Sequence, residues 1–241
     1  MTRRRWIADE FNGNRAALIG SHADHLSGVL RARIGQEFDL STGEVVRRGR
    51  IVAIHDRRIE FELAEELPAA TVFQIAVALA IFKFDRMEWA IEKATELGVN
   101  RIVPVIARRS EKHLTAAAGK RYPRWERLAR QASEQSRRSS EPEIERPLAV
   151  KKAVEQSAGL CIVLSEAERD QPLQRLVAAN PASSVTLAIG PEGGWTEEEL
   201  ALFAQHAWQA ATLGRSILRA ETAVVAAVAI VASSLQFSAA K

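Results

Sequence analysis

A chain of 241 residues, 47% apolar and 26% charged, can bury one large core or two smaller ones, which excludes a disordered or low-complexity protein. Its single cysteine, Cys161, excludes an intramolecular disulfide and a cysteine-based metal site, and its five histidines show neither HxH nor HExxH spacing, so no metal is expected. The N-terminal arginines are followed by no apolar signal segment, and the longest apolar run, Ala223 to Ala232, has 10 residues where a membrane span needs about 20, so a cytoplasmic protein without a membrane anchor is expected.

The net charge of +3 is unevenly spread. Residues 73–152 hold 17 Lys/Arg against 10 Asp/Glu, whereas residues 153–241 hold 5 against 9. Within Arg101 to Arg138 alone there are 11 basic residues, a density that suits a polyanion partner and equally a solvated helix surface.

From residue 1 to 70, "EFDLST", "GRIVAIHD" and "RRIEFEL" alternate apolar and polar residues between turns, which predicts short strands of a small β-barrel-like domain. One short helix is predicted near "DHLSGVLRAR", and "EELPAAT" (Glu65 to Thr71) reads as a linker. The periodicity then changes. "QIAVALAIF" is a strand, and "DRMEWAIEKATELG" is a helix with Met87, Ile91, Ala94 and Leu97 on one face and Gly98 as its stop. "RIVPVIA" is a strand, "YPRWERLARQASEQS" a helix, "GLCIVLS" and "VTLAIG" strands, with further helices from Thr196 and from about Glu221. Buried strands alternating with helices predict an α/β domain on a parallel sheet over residues 73–241. Cys161, Trp89 and Trp208 are expected in the core, as is His25 within the barrel, while Trp195 beside a glycine loop is open to either reading.

Ligands of open parallel sheets sit beyond the carboxyl ends of strands. Three such ends stand out: "LSEAE" (Leu164 to Glu168), "IGPEGG" (Ile189 to Gly194) and "LGRSILRAETA" (Leu213 to Ala223). Thr196 and Glu199 form a T-x-x-E capping box that starts a helix just after the glycines. The chain has neither a P-loop nor a G-x-G-x-x-G fingerprint, and Glu192 with the cap adds negative charge where a phosphate would sit. The loop therefore suits a ligand held by main-chain hydrogen bonds and apolar contact, such as an adenine-bearing cofactor without phosphates; S-adenosylmethionine fits that description.

Several segments in fixed order, "KFDRMEWAIEKATELGVNRIVPV", "ARRS", "RWERLARQASEQSRRSSEPEI", "AIGPEGGWTEEE" and "LGRSILRAETA", together with the N-terminal "RRWI" and "DHLSGVLR", resemble the bacterial 16S ribosomal RNA uracil-N3 methyltransferases, the RsmE family. The resemblance covers essentially the whole chain. It implies an N-terminal PUA-like barrel that binds RNA, a SPOUT methyltransferase domain tied in a C-terminal trefoil knot, and a homodimer with cofactor sites near its interface. It also implies S-adenosylmethionine as cofactor and 16S RNA of the small ribosomal subunit as substrate.

Carried over motif by motif, the cofactor pocket would comprise Leu164 and Glu166 of "LSE", Ile189, Gly190 and Gly194 of "IGPEGG", and Leu213, Gly214, Ile217, Leu218 and Arg219 of "LGRSILR". The family usually reads LGxRILR; here Arg215-Ser216 displaces the upstream arginine by one position and leaves Arg219 in place. Uracil N3 carries a proton, so transfer needs a cation for the developing charge on the ring oxygens and an acceptor for the proton. Arg219 is the candidate cation, and Glu221 the candidate acceptor or brace. Arg5, Arg31, Lys83, Arg86, Arg109 and Arg138 match basic positions of the family and are candidate RNA contacts. The competing readings are a SPOUT methyltransferase with another RNA target, a non-catalytic RNA-binding scaffold and, disfavoured by the missing phosphate motif, a nucleotide hydrolase.

Overall fold

The computed structural model describes residues 5–42, 45–67, 74–136, 138 and 140–238, the last three by backbone alone. They divide into two compact units, Met1–Thr71 with Ser133–Glu141, and Val72–Ala132 with Pro142–Lys241.

The first unit is a six-stranded sheet. Its strands are β1 (Arg5–Ile7), β2 (Glu10–Asn12), β3 (Arg15–Ile19), β4 (Glu37–Ser41), β5 (Val46–His55) and β6 (Arg58–Leu67), in the order β1-β4-β5-β6-β3-β2. All pairings are antiparallel except β1 with β4. The alternation read from the sequence corresponds to β4, β5 and β6; β1 and β2, of three residues each, are too short to display a period, and β3 buries Ala16, Ala17 and Leu18 in succession and so does not alternate. On β6, Ile59, Phe61 and Leu63 point into a core with Leu18, Leu26, Leu40 and Ile51, while Glu60 and Glu62 alternate outward. Gly49 stands at a register shift of β5, where a Cβ would run into Leu40 Cδ1, so a larger residue would force the buried Leu40 side chain to move.

The predicted helix is a short α1 (Ser21–Asp24) continued by a π-helical turn at His25–Val29. Here His22 lies between two carboxylates, with Nδ1 3.0 Å from Asp9 Oδ2 and Nε2 3.0 Å from Glu134 Oε1. Hydrogen bonding to Asp9 first, then to Glu134, raises its pKa to about 9. His25 is exposed, with its ring 5.8 Å from that of Trp6, so the expectation of a packed histidine does not hold. Of the expected linker, Glu65, Glu66 and Leu67 belong to β6, and the remainder lies outside the described residues.

The second unit is a parallel sheet covered on both faces. Its elements in chain order are β7 (Gln74–Ala80), α2 (Phe84–Glu96), β8 (Arg101–Ile106), α3 (Lys112–Gln135), β9 (Glu143–Ile144), β10 (Leu148–Ala149), α4 (Val150–Glu155), β11 (Leu160–Leu164), α5 (Leu173–Ala179), β12 (Ser184–Ile189), α6 (Glu197–Gln205), β13 (Gln209–Ala211) and α7 (Ala220–Ser238). The strand order is β10-β8-β7-β12-β11-β13, with β9 beside β8. Ile75, Val77 and Leu79 of β7 face α2, α3, α5 and α7, and Ala78 and Ala80 face the α4–α6 side. Burial on both faces is why these strands read as continuous apolar runs.

Met87, Ile91 and Ala94 form the buried stripe of α2, which ends at Gly98 with φ +99°. Trp89 lies off that stripe and is 45% exposed, contrary to the burial expected of it. Helix α3 begins ten residues before the predicted Tyr122 and runs through Pro123. An interior proline costs a helix about 3 kcal/mol. Leu114 and Ala118 before it and Trp125 and Ala129 after it keep one buried stripe, so packing holds the helix together across the break. Cys161 is half-buried rather than enclosed, and burial pushes its thiol pKa up. Among the described residues no helix is long and apolar enough to cross a membrane.

Candidate cofactor site at three strand ends

Strands β12, β11 and β13 are neighbours, and all point the same way, so the turns after Leu164, Ile189 and Ala211 open on one edge of the sheet. Hydrogen bonds from Ser165 N to Ala211 O, 3.0 Å, and from Leu173 N to Thr212 O, 2.9 Å, bind the first and third turns together. The edge forms a cleft of about 520 Å³. That volume suits a small organic ligand. Leu164, Glu166, Ile189, Gly190, Gly194, Leu213, Gly214, Ile217, Leu218 and Arg219 all line it.

The middle turn takes its form from glycine. Gly194 has φ +69° and donates its N–H to Pro191 O at 2.8 Å, closing the turn. At Gly190 a Cβ would lie 3.2 Å from Trp195 Nε1, so the bare backbone lets the indole pack beneath the loop. Trp195 is 7% exposed and packs edge-on against Phe203, and its buried indole N–H has no partner among the described residues. The turn ends in the predicted capping box: Thr196 Oγ1 accepts from Glu199 N, and Glu199 accepts from Thr196 N. Buried Glu199 also accepts from Arg108 N at 2.8 Å, which ties the start of α6 to the segment after β8.

The third turn carries the cations. Gly214, at φ +122°, donates to Thr212 Oγ1 at 3.2 Å and reverses the chain. Arg215, Ser216, Ile217 and Arg219 follow, all exposed along the cleft. The side chains of Arg215 and Arg219 make no ion pair or hydrogen bond among the described residues, and Arg215 stays on the cleft wall although displaced from the family position. Glu221 lies outside the cleft lining in the first turn of α7, 12% exposed, with Oε1 3.7 Å from Arg86 Nε and Oε2 buried without a hydrogen-bond partner among the described residues.

The six candidate RNA contacts fall into two groups. Arg31 of the first unit is exposed with a left-handed φ of 49°, Arg5 is half-buried on β1, and Arg138 is half-buried with its Nε donating to Ser140 O. Burial lowers the Arg138 pKa to about 10, leaving it charged at neutral pH. In the second unit Lys83 is exposed at the start of α2, whereas Arg86 and Arg109 line the cleft itself. No local signal in the sequence marks those two as cleft residues. They follow β7 and β8, and only the strand order, which sets β7 beside β12, brings them to the glycine turn. The basic run is also partly neutralised, with Arg121 and Arg124 paired to Glu88, Arg108 to Glu198 and Arg101 to Glu145.

Residues 69–232 match the family model of the RNA methyltransferase domain. The chain is 31% identical over 217 residues to the ribosomal RNA small subunit methyltransferase E of Rickettsia conorii, covering 86% of this chain and 85% of the relative. The corresponding protein of Mycobacterium bovis is 31% identical over 234 residues, with 91% and 86% covered. Among solved structures, the ribosomal RNA small subunit methyltransferase E of Neisseria gonorrhoeae bound to S-adenosyl methionine superposes with a TM-score of 0.83 at 30% identity, over 95% of this chain and 96% of that one. A match of this extent, across the parallel sheet and the glycine turns at its edge, shows that the chain belongs to the ribosomal RNA small subunit methyltransferase E family.

Proposed function

We propose that the cleft beyond β11, β12 and β13 holds S-adenosylmethionine and that the chain transfers its methyl group to N3 of a uridine in 16S RNA of the small ribosomal subunit. The observation that carries this reading is the convergence of three separate strand-end motifs, two of them glycine-bearing, on one cleft with a guanidinium, Arg219, that has no partner among the described residues at its wall. The donor set fits the cofactor: bare backbone at Gly190 and Gly194, apolar walls from Leu164, Ile189 and Leu218, and an indole N–H without a partner among the described residues. When bound, S-adenosylmethionine supplies an electrophilic methyl group on a sulfonium.

The chain's own residues do the rest. The turns hold the acceptor and the methyl donor in line and exclude water, which removes most of the entropic barrier of a bimolecular displacement. Arg219 stabilises the negative charge that spreads onto the uracil oxygens as N3 gives its proton to water. Glu221, two residues on, has an open acceptor oxygen but sits behind Arg86, a placement that favours bracing over direct proton transfer.

In the same reading, residues 1–70 form a PUA-like barrel and residues 73–241 a SPOUT domain whose C-terminal part is knotted. The chain works in the cytoplasm as a homodimer, and Arg5, Arg31, Lys83 and Arg138 contribute to the RNA surface. The crossover that sets β12 between β7 and β11, and the family membership, support the SPOUT assignment. Incubating the protein with small subunits lacking the modification and labelled S-adenosylmethionine tests the reading: label enters 16S RNA if it holds, and absence of both transfer and cofactor binding sinks it.

A further inference from the structure

Arg86 and Arg109 stand at basic positions suited to phosphate contact, yet their side chains face the glycine turn. Arg109 Nη1 donates to Gly193 O at 2.7 Å and to Trp195 O at 3.3 Å, and its aliphatic stem lies against Gly193, where a Cβ would meet Arg109 Cβ and Cδ at 3.4 Å. Arg86 Nη1 donates to Glu192 Oε1 at 2.6 Å, and its Nε faces Glu221 Oε1 at 3.7 Å. One arginine thus grips the main chain of the turn and the other its only charged side chain. Arg86 also joins the turn to the first residues of α7, directly after Arg219.

The buried Trp195 and the capping box fix the end of the turn, but its glycine backbone contributes little. Glycines at 190, 193 and 194 lose more backbone entropy on ordering than any other residue, and among the described residues Gly194 N to Pro191 O is the main-chain hydrogen bond within the turn. Charge-assisted hydrogen bonds from a planar guanidinium are stronger than neutral ones and fix direction as well as distance.

We propose that Arg86 and Arg109 are positioning residues that hold the Pro191–Trp195 turn in its cofactor-binding form, rather than contacts to RNA phosphate. The proposal rests on the reading that the cleft holds S-adenosylmethionine. It separates from a phosphate role through lysine, which keeps the charge a phosphate needs but ends in a shorter, freely rotating ammonium that is not directed at the point between Gly193 O and Trp195 O where Arg109 Nη1 lies.

The test uses the full chain and two readouts, cofactor affinity by titration calorimetry and the salt dependence of binding to small ribosomal subunits. Arg109→Lys should weaken S-adenosylmethionine binding about tenfold or more, raise the KM for the cofactor more than it lowers kcat, and leave the salt slope of RNA binding unchanged. Glu192→Gln, which removes the carboxylate held by Arg86 without changing its shape, should act in the same direction and serves if Arg109→Lys fails to fold. Wild-type cofactor affinity in both variants, with an RNA salt slope reduced by about one unit in the charge-removing Arg109→Gln, would overturn the proposal in favour of a phosphate contact. If the wild-type chain binds no S-adenosylmethionine, the functional reading falls and the positioning role with it, an outcome distinct from equal binding by wild type and variants.

Discussion

The two units use charge differently. In the first, charged groups pair with one another: Arg58 with Glu10 and Glu60, Arg50 with Glu37, and His22 between Asp9 and Glu134. In the second, Arg215 and Arg219 stand at a strand-end cleft without partners among the described residues, while Arg86 and Arg109 are committed to the loop beside them. Paired charges brace a fold, whereas an unpaired guanidinium in a cleft is available to a substrate. The contrast separates the cleft cations from the rest more sharply than net charge does, since the most basic stretch of the sequence is itself partly neutralised by Glu88, Glu145 and Glu198.

The contrast breaks most visibly at Arg219. Arg219→Ala should lower turnover at saturating RNA and cofactor by about 10²–10³-fold, the usual effect of deleting one donor to a developing anion, and leave the thermal transition in place. Full turnover in a steady-state methyl-transfer assay would remove Arg219 from the reaction. In the first unit the large effects belong to packing instead: Leu18→Ala, at a position with 0% exposure, should cost about 2–5 kcal/mol, read from hydrogen exchange of the β5 and β6 amides.

His22 sharpens the contrast through pH. Its folded pKa is raised from 6.5 to about 9, so the stabilisation by Asp9 and Glu134 is complete below about pH 6.5 and is lost as pH rises through 9. Denaturant unfolding at pH 6 and pH 10 should show wild type losing up to ~3 kcal/mol more than His22→Gln. An equal loss in both proteins would show that the cluster does not stabilise the fold. The smallest effect is at the cap of α6, where Thr196→Ala should cost about 1 kcal/mol of unfolding free energy, with Glu199 left without its reciprocal partner.

Legibility followed the same division. In the second unit β7, β8, β11 and β12 were readable because strands buried on both faces are continuous apolar runs, and the three strand-end motifs named the cleft residues before any geometry was known. In the first unit β1 and β2 are too short for two full alternations, and β3, with Ala16, Ala17 and Leu18 buried in a row, has no alternation to read. The start of α3 was hidden by Pro123, whose local cost is outweighed by Leu114, Ala118 and Trp125 packing on either side of it. Trp89 was misread because an aromatic in an amphipathic helix is expected on the buried face, and here it falls beside it. The inward commitment of Arg86 and Arg109 was not legible at all, since it depends on strand order, which no window of sequence contains.

The central claim is that the cleft at the ends of β11, β12 and β13 delivers a methyl group to uracil N3. Small ribosomal subunits lacking the modification, incubated with the protein and S-adenosylmethionine and then digested to nucleosides, test it by mass analysis of the 16S RNA. The account predicts a new 3-methyluridine with wild type that is absent with Arg219→Ala; a different methylated nucleoside, or none despite bound cofactor, would contradict it.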